Sequence, residues 1–200
     1  MDRVGVDVRL STAVTPDDLA ASDADAIVVA VGADALTPPI PGLDGPSVHD
    51  AQEYLRGERS LEPGARVVVI GGSATGCETA ELLVSRGVDV TVVEMARSIG
   101  KGIEAITRRH IVRELKRHGA TVLTEATVVE VRDGAVVYDQ DGERREVACD
   151  RVALAIGWRP RGGGLVEGLE GREVHVIGDA ARPADFVAAV NAGADVGLVV

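Results

Sequence analysis

The sequence predicts an α/β protein: a parallel sheet in a three-layer arrangement, with an antiparallel β-meander inserted into it. Short apolar runs that end in glycine recur along the chain: Ala26-Ile-Val-Val-Ala-Val-Gly32, Arg66-Val-Val-Val-Ile-Gly71, Val152-Ala-Leu-Ala-Ile-Gly157 and Val174-His-Val-Ile-Gly178. Continuous rather than alternating apolarity marks strands covered on both faces. Helical spacing appears between the second and third runs. Ala80, Leu83 and Val84 share a side over 75–86, and Ile103, Ile106, Ile111 and Leu115 share one over 103–118, with arginines opposite. Composition agrees, because aromatics make up only 2% while Val, Ala, Ile, Leu and 24 glycines supply the interior of close-packed strands and helices.

The remaining elements follow in order. Val88-Asp-Val-Thr-Val-Val-Glu94 is a strand between the two helices. After Gly119 the period changes. Thr127–Arg132, Ala135–Asp139 and Arg144–Ala148 are separated by Asp133-Gly134 and by a turn containing Asp141-Gly142, the pattern of a three-stranded meander. A last helix is expected from about 184 through 193. The segments Asp25 to Ala33 and Asp150 to Trp158 echo one another residue for residue as Asp, an apolar strand and Gly. They read as the endings of two similar nucleotide-type folds, or as two buried strands that simply look alike.

Charge and length exclude several classes. The net charge of −11 repels a phosphate backbone, which argues against nucleic acid as a partner. No apolar run approaches the roughly 18 residues of a membrane span, and the N-terminal Met-Asp-Arg-Val-Gly-Val-Asp has no leader-type apolar core. A cytoplasmic chain is the expectation. Cys77 and Cys149 stand far apart without a CxxC pair, so no dithiol centre is indicated, and no metal-ligand cluster occurs. His49, His110, His118 and His175 have no partner at catalytic spacing and read as surface or packing residues. No catalytic side chain is assigned.

The segment Arg66-Val-Val-Val-Ile-Gly-Gly-Ser-Ala-Thr-Gly-Cys-Glu-Thr-Ala80 carries the chemistry: strand, glycine loop, helix, then a second strand ending at Glu94 about twenty residues on. This is a Rossmann-like dinucleotide fingerprint. Gly71 permits the tight turn, Gly72, Ala74 and Thr75 complete the loop, and Gly76 lets the helix approach the sheet while its first N–H groups hold a pyrophosphate. Glu94 is placed to accept from the adenosine ribose hydroxyls and to repel a 2′-phosphate, which favours NAD(H) over NADP; Arg97 nearby keeps NADP open. Ser73 stands where the fingerprint has its middle glycine, and either shifts the phosphate or offers its hydroxyl as a donor. Cys77 reads as a small buried residue, or as a thiol activated by the helix dipole. Glu78 reads as a neighbour of the nicotinamide end, or as a carboxylate favoured by the helix N-terminus.

Val68-Val-Ile-Gly-Gly-Ser-Ala-Thr-Gly-Cys-Glu, Val90-Thr-Val-Val-Glu-Met95, Leu154-Ala-Ile-Gly-Trp-Arg-Pro160 and Val176-Ile-Gly-Asp-Ala180 together resemble the C-terminal FAD/NAD(P)-binding region of 2,4-dienoyl-CoA reductase and related NADH:flavin oxidoreductases, within the wider pyridine-nucleotide-disulfide reductase-like flavoproteins. The resemblance covers nearly the whole chain. It implies an NAD(P) domain over 63–157, inserted between a partial FAD-type portion over 1–62 and its return segment over 158–200. It also implies cofactor-binding roles for Met95, Ile156 and Gly157 on the NAD(P) side, and for Ala30, Gly32, Gly178, Asp179 and Ala180 on the FAD side. Asp179 would hold a ribityl hydroxyl of FAD, where its position alone suggests a helix N-cap.

An FAD-type βαβ unit needs about 30 residues before the strand at 26, and no G-x-G-x-x-G occurs there, so the FAD site is expected to be incomplete. The expected protein is therefore the NAD(P)H-binding portion of an FAD-dependent oxidoreductase, which passes hydride from NADH to a flavin and is completed by an N-terminal flavin/substrate domain or a partner subunit. The alternative is a non-catalytic ADP- or NAD-binding module.

Overall fold

The computed structural model describes residues 4–200; residues 1–3, part of the segment read for a leader, lie outside it. Along the chain run α1 (Pro16–Ala20), β1 (Ala26–Val29), β2 (Ala33–Ala35), β3 (Val48–Asp50), α2 (Ala51–Leu55), β4 (Arg66–Ile70), α3 (Ala74–Ser85), β5 (Asp89–Val93) and α4 (Ala105–Arg117). These are followed by β6 (Thr121–Leu123), β7 (Ala126–Arg132), β8 (Ala135–Gln140), β9 (Glu143–Ala148), β10 (Arg151–Leu154), β11 (Trp158–Pro160), β12 (Glu173–Val176) and α5 (Phe186–Val196). Among the described residues, no helix is long and apolar enough to cross a membrane. Two compact units result: Ala35–Gly157, and the residues up to Asp34 together with Trp158–Val200.

The Ala35–Gly157 unit is a five-stranded sheet in the order β3-β10-β4-β5-β6, with every neighbouring pair parallel. Its strands are apolar on both faces because each face has its own cover. Val67 and Val69 of β4, Val90 and Val92 of β5 and Ala153 of β10 pack on one side with Ala80, Leu83 and Val84 of α3 and with Ile111 and Leu115 of α4. The alternate residues Val68, Ile70, Val93, Val152 and Leu154 pack on the other side with Ala126, Val128, Val131, Val136 and Tyr138 of the meander. Helices, parallel sheet and meander are thus the three layers. The meander is an antiparallel β7-β8-β9 sheet with a register shift between Val128 and Glu130.

The second unit is smaller. β1 pairs in parallel with β12, from Ala26 opposite Glu173 to Val29 opposite Val176, and Ile27, Val29 and Leu169 form its core. The Arg172 guanidinium binds the carbonyls of Ala20, Ser22 and Ala24, and Arg161 pairs with Asp34. α5 buries none of its residues, and Phe186 is 82% exposed.

The four glycine-ended runs divide between two sheets: those at 26 and 174 pair with each other, and those at 66 and 152 pair in the larger unit. Some expectations change. The boundary expected at 62/63 shifts. Residues 35–62 pack with the larger unit, since β3 extends its sheet beside β10 and Ala51 and Tyr54 of α2 enter its helical-side core. In α4, the expected apolar side is split. Ile111 and Leu115 are buried, but Ile106 is 74% exposed, because at 100° per residue it stands well off the direction they share. The last helix, expected from about 184 through 193, runs over Phe186–Val196 with Asp185 as its N-cap.

The packing of α4 and the start of β4 each set a measurable outcome. Leu115→Ala should cost about 2–5 kcal/mol of unfolding free energy, whereas Ile106→Ala should stay within about 0.5 kcal/mol, as read from urea denaturation. At the start of β4, Arg66 donates from its side chain (2.6 Å) and its backbone N–H (2.8 Å) to Asp150, which holds that carboxyl down to about 2 from an ordinary 3.8. The folded pKa is the lower one, so the pair's contribution is complete above the ordinary value and disappears as pH falls to about 2. The stability gap between wild type and Asp150→Asn should therefore close over that interval and stay constant at neutral pH.

Candidate functional site at the glycine loop

The site is built where β4 gives way to α3. Gly71 leaves the strand at φ +100°, and a Cβ there would meet the Ala155 carbonyl oxygen at 2.5 Å, so only glycine makes this turn. A Cβ on Gly76 would lie 1.9 Å from the Gly71 carbonyl oxygen, which is how closely the first turn of α3 approaches the strand end. Gly72 serves a different contact from the one its place in the loop suggests. Its Cβ would strike Ile99 at 2.4 Å, and its carbonyl accepts from Gly100 N–H at 2.6 Å, so the 97–102 segment folds down on the loop. Arg108 fixes that segment in turn through Nε to the Ile99 carbonyl (2.8 Å).

Glu94, at the end of β5, accepts from Gly72 N–H (2.6 Å) on one oxygen and from Ala96 N–H (2.7 Å) on the other. The carboxylate thereby aligns the end of β5 with the loop after β4. Ser73 is the N-cap residue of α3, yet its side chain makes no capping hydrogen bond; its hydroxyl donates to the Ala155 carbonyl (3.1 Å). The N–H groups of Thr75 and Gly76 consequently have no hydrogen-bond partner among the described residues, as the first turn of an uncapped helix requires.

Beside this loop lies a cavity of about 360 Å³, mostly apolar, at the carboxyl ends of the parallel strands. Gly71, Ser73, Glu94, Met95 and Ile156, all singled out in the sequence, line it. Sequence reasoning missed Leu36, Pro38 and Ile40 from the segment before β3, Thr127 from β7, and Ala155. The apolar, proline-rich run Thr37-Pro-Pro-Ile-Pro was the one signal in the sequence for the first three.

The other candidates are placed as follows. Ala74 and Thr75 open α3, half-buried, while Glu78 is exposed one turn on. Arg97 is exposed and pairs with Glu125 (3.1 Å), and Met95 is 73% exposed at the cavity edge. Gly157 follows Ile156 with φ +127° and accepts from Leu36 N–H (2.9 Å). In the other unit, Ala30 and Gly32 follow β1, and Gly178, Asp179 and Ala180 form a single 3-10 turn after β12. There Asp179 accepts from Ala184 N–H (3.1 Å), and the N-cap of α5 is Asp185, not Asp179. None of the four histidines lines the cavity.

Cys77 is buried in the first turn of α3, its Sγ directed to the Gly72 carbonyl (3.4 Å). Burial pushes the thiol up to about 11, outweighing the Gly100 N–H and the Arg108 charge, which pull the other way. The folded protein should therefore resist alkylation of Cys77 near pH 8, and the same residue should label fully in denaturant, as followed by mass spectrometry.

A parallel sheet with a glycine-rich strand-to-helix turn, an uncapped helix start and a carboxylate on the next strand defines a dinucleotide-type α/β unit. The chain belongs to the pyridine nucleotide-disulphide oxidoreductase family, which it matches over residues 2–193. It is 34% identical to an NADH oxidase of Thermoanaerobacter brockii over 198 residues, covering 96% of this chain and 30% of that protein. A bilirubin reductase of Mediterraneibacter gnavus is 36% identical over 198 residues, again covering 96% of this chain and 30% of the relative. Among solved structures, a 2-naphthoyl-CoA reductase aligns with the whole chain at a TM-score of 0.88 and 27% identity, over 30% of its own length. The chain thus spans about a third of the length of these relatives.

Proposed function

We propose that this chain is the NAD(H)-binding portion of a larger flavin-dependent oxidoreductase of the NADH:flavin type, with the 2,4-dienoyl-CoA reductase group as the finer assignment. The observation that carries the reading is the uncapped start of α3, where the Thr75 and Gly76 N–H groups follow a glycine turn whose Gly71 and Ser73 line a cavity together with Glu94. The relatives support it, being an NADH oxidase and reductases in name.

In this reading the Thr75 and Gly76 N–H groups hold the pyrophosphate of NADH. Glu94, kept in place by Gly72 and Ala96 N–H, has lone pairs left to accept from the ribose hydroxyls, and its charge disfavours a 2′-phosphate. Arg97 is engaged by Glu125, which lowers its value as a partner for that phosphate. Leu36, Ile40 and Ile156 exclude water from the cavity wall. When bound, NADH would supply a hydride for a flavin, chemistry that asks positioning of these residues rather than a side-chain acid or base. Ala30, Gly32, Gly178, Asp179 and Ala180 are the proposed share of the flavin site. Among the described residues the core of the unit that carries them is the β1 and β12 pair, without a glycine-loop βαβ unit of its own, which supports a flavin site completed by another segment or subunit.

Calorimetry tests the reading. NADH should bind in the micromolar to low millimolar range and at least about tenfold more tightly than NADPH, and Glu94→Ala should weaken NADH by about tenfold or more, the worth of a charged hydrogen bond. Absence of NADH binding by the wild-type protein at millimolar concentration would remove the proposal. A non-catalytic nucleotide module would bind NADH equally well; a flavin spectrum in the purified protein that NADH bleaches would exclude it.

A further inference from the structure

The fingerprint departs from its regular form at one residue, and the structure gives that residue a specific partner. Ser73 occupies the N-cap of α3, where a serine hydroxyl ordinarily accepts from the N–H two or three residues on. The other α-helices in the described residues follow this rule: Thr15, Asp50, Glu104 and Asp185 all accept from their own first turns. Ser73 instead donates to the carbonyl of Ala155, 82 residues further along the chain. Ala155 is the residue at which the chain leaves β10; its N–H donates to the Ile70 carbonyl (2.8 Å), and its own carbonyl is the atom that forbids a Cβ on Gly71. The hydroxyl thus ties the loop after β4 to the end of β10, directly ahead of Ile156, which lines the cavity.

We propose that Ser73 is a positioning residue for the dinucleotide: by committing its hydroxyl to Ala155 it holds the loop in register with β10 and leaves the Thr75 and Gly76 N–H groups uncapped for the pyrophosphate. This deepens the nucleotide reading above and rests on it. The Cβ that Ser73 introduces is then offset by a tether that a glycine at this position cannot make. Two opposite expectations separate this role from that of a mere obstruction. If the side chain only crowds the phosphate, Ser73→Gly, which restores the regular fingerprint, tightens binding. If the hydroxyl positions the loop, Ser73→Gly and Ser73→Ala both weaken it, and Ser73→Thr, which keeps the donor, does not.

The experiment measures dissociation constants of NADH and of ADP-ribose for the purified protein and these three variants by calorimetry, with circular dichroism to establish that each is folded. Ser73→Ala and Ser73→Gly should each bind both ligands about three- to tenfold more weakly, the effect of losing one neutral hydrogen bond, and Ser73→Thr should stay within about twofold of wild type. Equal losses for NADH and ADP-ribose place the effect at the pyrophosphate they share. Amide exchange should be fast at Thr75 and Gly76 in the ligand-free protein and slowed by NADH. Wild-type-like or tighter binding by Ser73→Ala or Ser73→Gly overturns the role of Ser73 while leaving the nucleotide site standing. Failure of the wild-type protein to bind either ligand overturns both, and Ser73→Thr binding as weakly as Ser73→Ala assigns the effect to packing and overturns the tether.

Discussion

Double burial of β4 is the constraint on which the larger unit depends. Val67 and Val69 face the helices and Val68 and Ile70 face the meander, so the strand can exist only between two covers. A parallel strand of this kind cannot be reached by a hairpin; the chain must cross over through a helix, and α3 is that crossover. The glycine turn at Gly71 is the shortest route from the one to the other, which is why loop, helix start and cavity occur together at the carboxyl end of the strand.

The same constraint explains the meander. With α3 and α4 on one face, the opposite face of β4, β5 and β10 would expose Val68, Ile70, Val93, Val152 and Leu154 to water. Each such side chain is worth about 1.5–3 kcal/mol when fully buried, so covering this face is a large part of what stabilises the unit. The meander does so with Val128, Val131, Val136 and Tyr138, and its first strand also brings Thr127 to the cavity. Packing and site are therefore set by one element.

Charge acts locally against the overall balance. The chain carries a net charge of −11, yet the proposed ligand is an anion. In the proposed reading attraction comes from uncharged devices, the N–H groups at the start of α3, because a helix terminus acts over the length of a turn and is little affected by distant surface carboxylates. Glu94 keeps its charge, and two backbone N–H groups, of Gly72 and Ala96, hold its carboxylate in place.

The central strands β4, β5 and β10, the β1 and β12 pair, α3, the meander and the glycine loop were legible in the sequence, because apolar period, glycine at a positive φ and Asp-Gly turns are local signals. The three-residue edge strands β3 and β6 carry too short a pattern to be read. Gly71, Gly76 and Glu94 lie where their spacing put them. The tertiary structure alone decided what each of these residues touches: that residues 35–62 join the larger unit through β3, that Ile106 is exposed, that Gly72 serves Ile99, and that Ser73 donates to Ala155. These contacts join segments separated by tens of residues, and no local pattern encodes the partner of a hydrogen bond 82 residues away. A hydroxyl carries no sign of its direction until the strand it will meet has been laid beside it.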